Sequence, residues 1–254
     1  MTTSHETLVE RQYGDRADAY VSSKAHSAGP DLDRIEAIVR AHPRARVLDL
    51  GCGGGHVAYR AAPHVREVVA CDLLPTMLAA VEKEAARRGL ANVRTQVAPA
   101  EALPFADASF DILLCRFTAH HWRDWEAGLA EARRVLVPGG IAVFIDSIAP
   151  ADPLVDTHLQ AIELLRDTSH VRNRTSNEWV AGLVRASFAV GRVGTHKLPL
   201  DFTSWVERMK TPEAHIAAIR SLQLGASEAV CAALGYDADG SFSLDVMTLE
   251  ISAA

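Results

Sequence analysis

Between residues 45 and 145 one rhythm repeats: a short β-rich apolar run, then a helical pattern, then another run. The runs lie at 45–50 (ARVLDL), 66–71 (REVVAC), 93–98, 110–115 (FDILLC) and 141–145 (IAVFI), with helical patterns near 55–62, 75–88 and 124–136. Apolar runs of this length separated by helices specify βαβ units and a mostly parallel sheet covered on both faces. Gly89 stands just past the second helical pattern, where a C-terminal cap belongs. Upstream, Leu32, Ile35, Ile38 and Val39 recur at helical spacing and Pro43 closes the element. Beyond Asp146 the rhythm changes. Helices are expected at 153–166 and 178–188, a strand at 192–198, further helices near 202–210, 212–222 and 227–234, and an alternating strand at 242–251. Thr175 to Glu178 has the spacing of a capping box.

Composition removes several function classes. Hydrophobic residues make up 48% and charged residues 23% of the 254, ordinary for a chain with a substantial core. A formal net charge of −6 leaves no global basic field for a polyanion, so nucleic acid is not an expected partner. Cys52, Cys71, Cys115 and Cys231 form no CxxC pair, so neither a structural metal nor a disulfide framework is expected. The polar N-terminus has no signal-peptide core, and no apolar stretch approaches the ~18 residues that span a membrane. The expectation is a cytoplasmic protein with no membrane partner.

The stretch RVLDLGCGGGHVA, residues 46–58, packs four glycines into five positions between the first strand and the first helix of the repeat. A turn of this kind lets a ligand reach backbone amides and a positive helix end. A P-loop would need GxxxxGK[ST], and the dinucleotide fingerprint would need glycine where His56 stands. The spacing here is Asp49-x-Gly51-x-Gly53-x-Gly55. A carboxylate at Asp49 repels a pyrophosphate and attracts an ammonium group. S-adenosylmethionine carries an amino group, a carboxylate and a sulfonium, with no phosphate. Asp49 is expected to hold the amino group, often through water, while amides around Gly51, Cys52, Gly53 and Gly55 favour the carboxylate. A tight turn packed only for structure is the alternative. Asp72, 23 residues after Asp49, ends the second strand, where an acid accepts from both ribose hydroxyls in Rossmann-like folds. It also stands where a helix N-cap would.

On these residues the sequence resembles class I S-adenosylmethionine-dependent methyltransferases, over about 46–147. PAEALPFADASFDILLC resembles the stretch that lines the adenine and leads into the fourth strand, and EARRVLVPGGIAVF the family's helix, Pro-Gly-Gly turn and fifth strand. The combination is nearest the ubiquinone and menaquinone C-methyltransferase branch of small-molecule methyltransferases. The resemblance implies an α/β, Rossmann-like, doubly wound seven-stranded sheet of order 3-2-1-4-5-7-6, strand seven antiparallel. It implies an N-terminal helical lid over 1–45, a cofactor core over 46–147, and sheet completion over 148–254 with a helical cap inserted at about 200–235. The implied cofactor contacts are Asp49, Gly51, Cys52, Gly53, Gly55, Asp72, Leu73, Met77, Ala100, Glu101 and Arg116. Pro99 stands where the family commonly has an acid for the adenine amine, so Glu101 or a backbone carbonyl takes that role. Leu103 and Phe105 are expected to close over the ring.

Methyl transfer from a sulfonium is an in-line displacement, accelerated largely by alignment in a water-poor site. A base is needed only where the acceptor loses a proton. His120 and His121, in CRFTAHHWRDW, are the candidates, as base or as pocket wall. Trp122 and Trp125 read as core or pocket wall. Tyr13, Tyr20 and His26 are candidates either to touch cofactor or acceptor from the lid or to pack it. Arg166, His170, Arg172 and Arg174 read as a solvated helix end or as a seat for an acidic acceptor group. The function expected is methyl transfer to a small-molecule acceptor. The alternatives are a nicotinamide-dependent oxidoreductase and a non-catalytic cofactor-binding protein on the same fold.

Overall fold

A computed structural model describes residues 4–14 and 29–254. Its strands are β1 (Arg46–Leu50), β2 (Glu67–Asp72), β3 (Val93–Val97), β4 (Phe110–Arg116), β5 (Leu136–Ile148), β6 (Phe188–Leu200) and β7 (Phe242–Ala253). They form one sheet of order β3-β2-β1-β4-β5-β7-β6. The first five pair in parallel, and β7 runs antiparallel to both β5 and β6. This is the expected doubly wound topology.

Strand alternation explains why the central runs are apolar throughout. Leu48, Leu50, Leu113 and Cys115 enter one core, while Val47, Ile112 and Leu114 enter another on the opposite face. The first core is covered by α5 (Trp125–Val135) and α7 (Ser176–Arg185), and the second by α2 (Pro30–Arg40), α3 (His56–Ala61) and α4 (Pro75–Arg87). A strand buried on both sides has no polar face to present, so period two vanishes from its sequence.

The remaining described helices are α1 (His5–Tyr13), α6 (Pro153–Arg166), α8 (Phe202–Arg208), α9 (Glu213–Leu224) and α10 (Glu228–Leu234). The last three lie between β6 and β7, where the cap was expected. They build a third core in which Phe202, Trp205, Val206, Ile219 and Val230 meet Val155, Leu159 and Ile162 of α6. The capping box forms as read: Glu178 N donates to Thr175 Oγ1 at 3.2 Å, and Thr175 N to Glu178 Oε2 at 2.8 Å.

Two strands are longer than the sequence suggested. The fifth runs from Leu136 rather than 141, because the Pro-Gly-Gly segment is a bulge within it. Gly139 takes φ +74° there, and the register shifts between Phe110 and Ile112. The sixth covers 188–200 rather than 192–198. As an edge strand it is exposed along much of its length, which leaves little apolar pattern to read. Among the described residues no helix is long and apolar enough to cross a membrane.

Candidate active site

At the carboxyl edge of the sheet lies a cavity of about 990 Å³, reaching from the glycine loop to the cap. Ligands in open α/β sheets bind outside the strand ends, where the order reverses between β1 and β4. Along the cavity the wall changes from backbone and apolar groups to clustered polar side chains.

The first half is made by the glycine loop. Gly51, Gly53 and Gly55 have φ of +68°, +48° and +79°, conformations that L side chains rarely adopt. A Cβ at Gly51 would collide with the side chain of Thr118, whereas Gly53 faces open space. Gly51 and Gly53 form cavity wall; Gly55 and Cys52 stand behind it. Burial pushes the Cys52 thiol well up, with Asp72 and Asp49 adding to the effect, so this sulfur stays protonated. Asp72 is on the wall. Its Oδ2 accepts from Gly53 N at 2.9 Å and its Oδ1 from Leu74 N at 3.0 Å, tying the β2 end to the loop. Burial raises its carboxyl and these amides pull it back.

Asp49 is placed differently from the expectation of ligand contact. It is 1% exposed, stands outside the cavity wall, and accepts from Ala58 N at 2.9 Å. Strand alternation turns it away from Leu48 and Leu50 toward α3. There it satisfies one of the free first-turn amides that Gly55 cannot cap. Burial holds its carboxyl up at about 7, with the charge of Asp72 contributing. From this position Asp49 acts on the loop through its field and through the seating of α3.

Leu73, Met77, Pro99, Ala100 and Glu101 continue the wall. One oxygen of Glu101 is engaged at the start of α5, accepting from Arg123 N at 3.0 Å and Asp124 N at 3.3 Å. Leu103 and Phe105 are not part of the cavity wall. Leu103 is buried in the first core, and Phe105 packs edge-on against Phe110 at 4.9 Å. The apolar side chains on this part of the wall are Leu73 and Met77.

Past β4 the chain makes a strained turn. Phe117 takes φ +52°, an uncommon value for a side chain of this size. Arg116 is buried in an ion pair with Asp31 of α2, and its guanidinium lies over the Phe117 ring. The turn delivers His120 and His121 to the second half of the cavity. His120 Nδ1–H donates to Asp146 Oδ1 at 2.6 Å, which fixes the tautomer and leaves Nε2 as the basic nitrogen. Burial lowers the His120 pKa, but Asp146, Glu163 and Asp167 outweigh it, and the net direction is upward. His121 goes the other way, to about 4, through burial and the neighbouring His120. Its Nδ1–H donates to Ser169 O at 3.1 Å, and its Nε2 lies 3.1 Å from the Tyr13 hydroxyl. That hydroxyl donates to Asp167 Oδ2 at 2.6 Å, and His5 Nε2–H donates to His121 O at 3.0 Å, so α1 is fastened directly over the pair.

Tyr13 thus reaches the cavity, while Tyr20 and His26 lie outside the described residues. Trp122 is wall, and Trp125 is core against Trp179 at 5.2 Å. The solvated-end reading of the basic cluster fails for two of its members. Arg166 lines the cavity with its guanidinium over Trp205, and His170 is buried, donating from Nε2–H to Gln160 Oε1 at 2.9 Å. Arg172 does pair with Asp156 at 2.7 Å. Sequence reasoning missed Asp146, Asp167, Glu163, Ser147 and Asn173. Asp146 carried a signal: it is an acid directly after the apolar run 141–145, as Asp72 is at the end of β2.

A seven-stranded Rossmann-like sheet with its penultimate strand position reversed, and a cleft at the glycine loop, defines a class of transferases. A methyltransferase-domain family model matches residues 48–144. The chain is 44% identical over 204 residues to YafE of Escherichia coli, covering 80% of this chain and 99% of that protein. It is 36% identical over 203 residues to YcgJ of Bacillus subtilis, named an uncharacterized methyltransferase, covering 80% of each. The YcgJ crystal structure matches with a TM-score of 0.84 at 32% identity, over 87% of this chain and 97% of that one. A demethylmenaquinone methyltransferase of Deinococcus radiodurans is 39% identical over 117 residues, 45% of this chain and 48% of that protein. The chain belongs to the methyltransferase-domain family and is a methyltransferase. The nicotinamide reading gains no support.

Proposed function

We propose that the protein uses S-adenosylmethionine to methylate a small-molecule acceptor. The cofactor would lie along the glycine loop and Asp72, and the acceptor beside His120. The observation that carries this reading is one continuous cavity joining a bare backbone loop with an acid at the β2 end to a histidine–carboxylate pair. The residues fit the cofactor. Two acids whose charge is disfavoured by burial, Asp49 and Asp72, flank the loop, and both are eased by a cationic ligand and worsened by a pyrophosphate. Asp72 would hold the ribose hydroxyls, the amides of Gly51 and Gly53 the carboxylate, and Leu73, Met77 and Ala100 the adenine flank. When bound, the cofactor supplies an electrophilic methyl carbon on a sulfonium that leaves as a neutral thioether.

The chain's own contribution is alignment, dryness and one proton. Arg116 and Asp31 lock α2 against β4, and α1 closes over His121. Trp205, Leu198 and Leu244 give the acceptor chamber apolar walls that exclude water. His120 Nε2 would take a proton from an acceptor hydroxyl or acidic carbon, with Asp146 steadying the imidazolium that results. His121, held neutral, would serve as wall and as the anchor of Tyr13. The test is calorimetry followed by an untargeted metabolite screen with methyl-labelled cofactor. Micromolar binding of S-adenosylmethionine, weak binding of NAD and a labelled small molecule are expected. Tighter binding of NAD would overturn the reading.

A further inference from the structure

The acceptor chamber holds an opposed pair of side chains, neither of which has its full complement of partners. Glu163 and Arg166 stand one turn apart on α6, and both line the cavity. Glu163 is 6% exposed, yet its carboxyl group lies open to the cavity and accepts no hydrogen bond among the described residues. Its ion pair with Arg166 spans 3.7 Å from Nη1 to Oε2, too far for a hydrogen bond. Arg166 is held from behind. Its Nε–H donates to Trp205 O at 3.0 Å, and its guanidinium lies over the Trp205 ring. The fork formed by Nη1 and Nη2 is left without a hydrogen-bond acceptor among the described residues. Arg208, the last residue of α8, lines the same cavity, and its charge also reaches Glu163. Buried ionisable groups are ordinarily paired and hydrogen-bonded, so this pair is built for a third partner.

We infer that the acceptor carries a carboxylate, and that the Arg166 fork and Arg208 bind it in the acceptor chamber. The inference rests on the proposed function and adds to it the chemical class of the acceptor. A guanidinium presents parallel N–H groups whose spacing matches the two oxygens of a carboxylate. The local charges favour an anion. Those that reach Glu163 are Arg166, His120 and Arg208 on one side and Asp167 on the other, and Tyr236, bonded to His158, is also in range. Asp167 lies outside the cavity wall and is engaged by Ser169 and Tyr13. Asp31 and Asp201 line the cavity, but the first is paired with Arg116 and the second caps α8. Burial raises the Glu163 carboxyl against the pull of Arg166, His120 and Arg208. With its proton on, Glu163 donates to a bound carboxylate instead of repelling it. The wall then offers two guanidiniums and a third donor to one ligand group. A cationic amine would bond an ionised Glu163 and face both guanidiniums and His120 at once. A phosphate dianion would set a second charge against Glu163.

The test is calorimetry on the full chain saturated with S-adenosylhomocysteine, using phenylacetate as probe and phenylacetamide, phenethylamine and phenyl phosphate as controls. Phenylacetate is expected to bind at least about tenfold more tightly than phenylacetamide, the effect of one buried hydrogen bond to a charged partner. Arg166→Met, which keeps an unbranched apolar chain over Trp205, should bring that ratio near one while S-adenosylhomocysteine affinity stays unchanged. Arg208→Met should lower the ratio as well and guards against collapse of the first variant. Glu163→Gln, which keeps the volume and cannot ionise, should strengthen phenylacetate binding at pH 8 and by less at pH 6. A wild-type protein with no carboxylate preference, a preference that survives both arginine substitutions, tighter binding of phenethylamine or phenyl phosphate, or weaker phenylacetate binding in Glu163→Gln would overturn the inference. Failure of S-adenosylhomocysteine to bind the wild type would count against the proposed function; bound S-adenosylhomocysteine without carboxylate preference would count against this inference alone.

Discussion

The two halves of the cavity are built by opposite means. The glycine-loop half is local: residues 51–53 and 72–77 lie in two adjacent βα turns, and the groups proposed to recognise the cofactor are mostly backbone amides and one strand-end acid. The half proposed to take the acceptor is assembled from Tyr13, His120, Asp146, Glu163, Asp167 and Asn173, which span most of the chain and present side chains. A ligand shared by many enzymes can be met by a constant backbone motif. A ligand particular to one enzyme needs side chains that can change without disturbing the sheet. The first half should therefore govern cofactor affinity, and the second turnover and acceptor choice.

The largest break between them is expected at His120. His120→Ala should lower turnover on a proton-yielding acceptor by roughly 10²–10⁴-fold, the usual contribution of a positioned base, and change cofactor affinity less than about twofold. Stopped-assay rates with labelled cofactor would check this. Comparable losses in rate and affinity would join the two halves into one site.

Gly51→Val attacks the other side. A β-branched residue at φ +68°, directed at Thr118, should destabilise the fold by about 2 kcal/mol or more and remove cofactor binding. Denaturant unfolding and ligand titration read the two effects separately, and a stable variant with normal affinity would show that the loop's bareness is incidental.

The halves should also differ in their response to pH. The Asp49 carboxyl is raised from an ordinary value of 3.8 to about 7, so the stability linked to it is full below pH 3.8 and lost as pH rises through 7. His121 and His170 are lowered from 6.5 to about 4 and about 2, so their contribution is full above pH 6.5 and lost as pH falls toward those values. Asp49→Asn should raise Tm at pH 8, by roughly 2–4 °C for each kcal/mol recovered, and the gain should vanish near pH 4. Cofactor affinity should fall in the same variant, because the loop loses the field that favours a cation. An unchanged melting profile would mean that Asp49 is charged without strain.

A smaller effect concerns the base itself. Asp146 is a principal cause of the upward direction of the His120 pKa, so the acid limb of the rate profile should have its midpoint above 6.5. In Asp146→Asn that midpoint should move to lower pH, with the rate at pH 8 also reduced through loss of ring orientation. A limb that stays in place would assign it to another group.

The same contrast explains what could be read from the sequence. Gly51 and Asp72 could be placed at the cavity wall from the sequence because they follow or end apolar runs whose length is set by burial on both faces, whereas the inward turn of Asp49 toward α3 could not. The mostly parallel sheet followed from that rhythm, and the seven-strand order from the family resemblance alone. Asn173 and Glu163 carried no local mark: one sits in a loop between α6 and α7, the other on an amphipathic helix where a glutamate ordinarily faces water. Only the packing of α6 against the cap helices brings Glu163 inward, and only the Gln160 clamp on its main chain fixes Asn173. Leu103 and Phe105 were misplaced for a related reason, since an apolar residue beside a cleft can turn to either side and here the Phe110 ring takes it inward.

The division of labour is tested most directly by titrating S-adenosylhomocysteine into three folded proteins: wild type, Asp72→Ala and His120→Ala. The expected result is micromolar affinity in the wild type and a loss of about 1.5–3 kcal/mol in Asp72→Ala, where two ribose hydroxyls lose a charged acceptor. His120→Ala should bind within about twofold of the wild type. Unchanged affinity in Asp72→Ala, or equal losses in both variants, would contradict the placement of cofactor and acceptor in separate halves of the cavity.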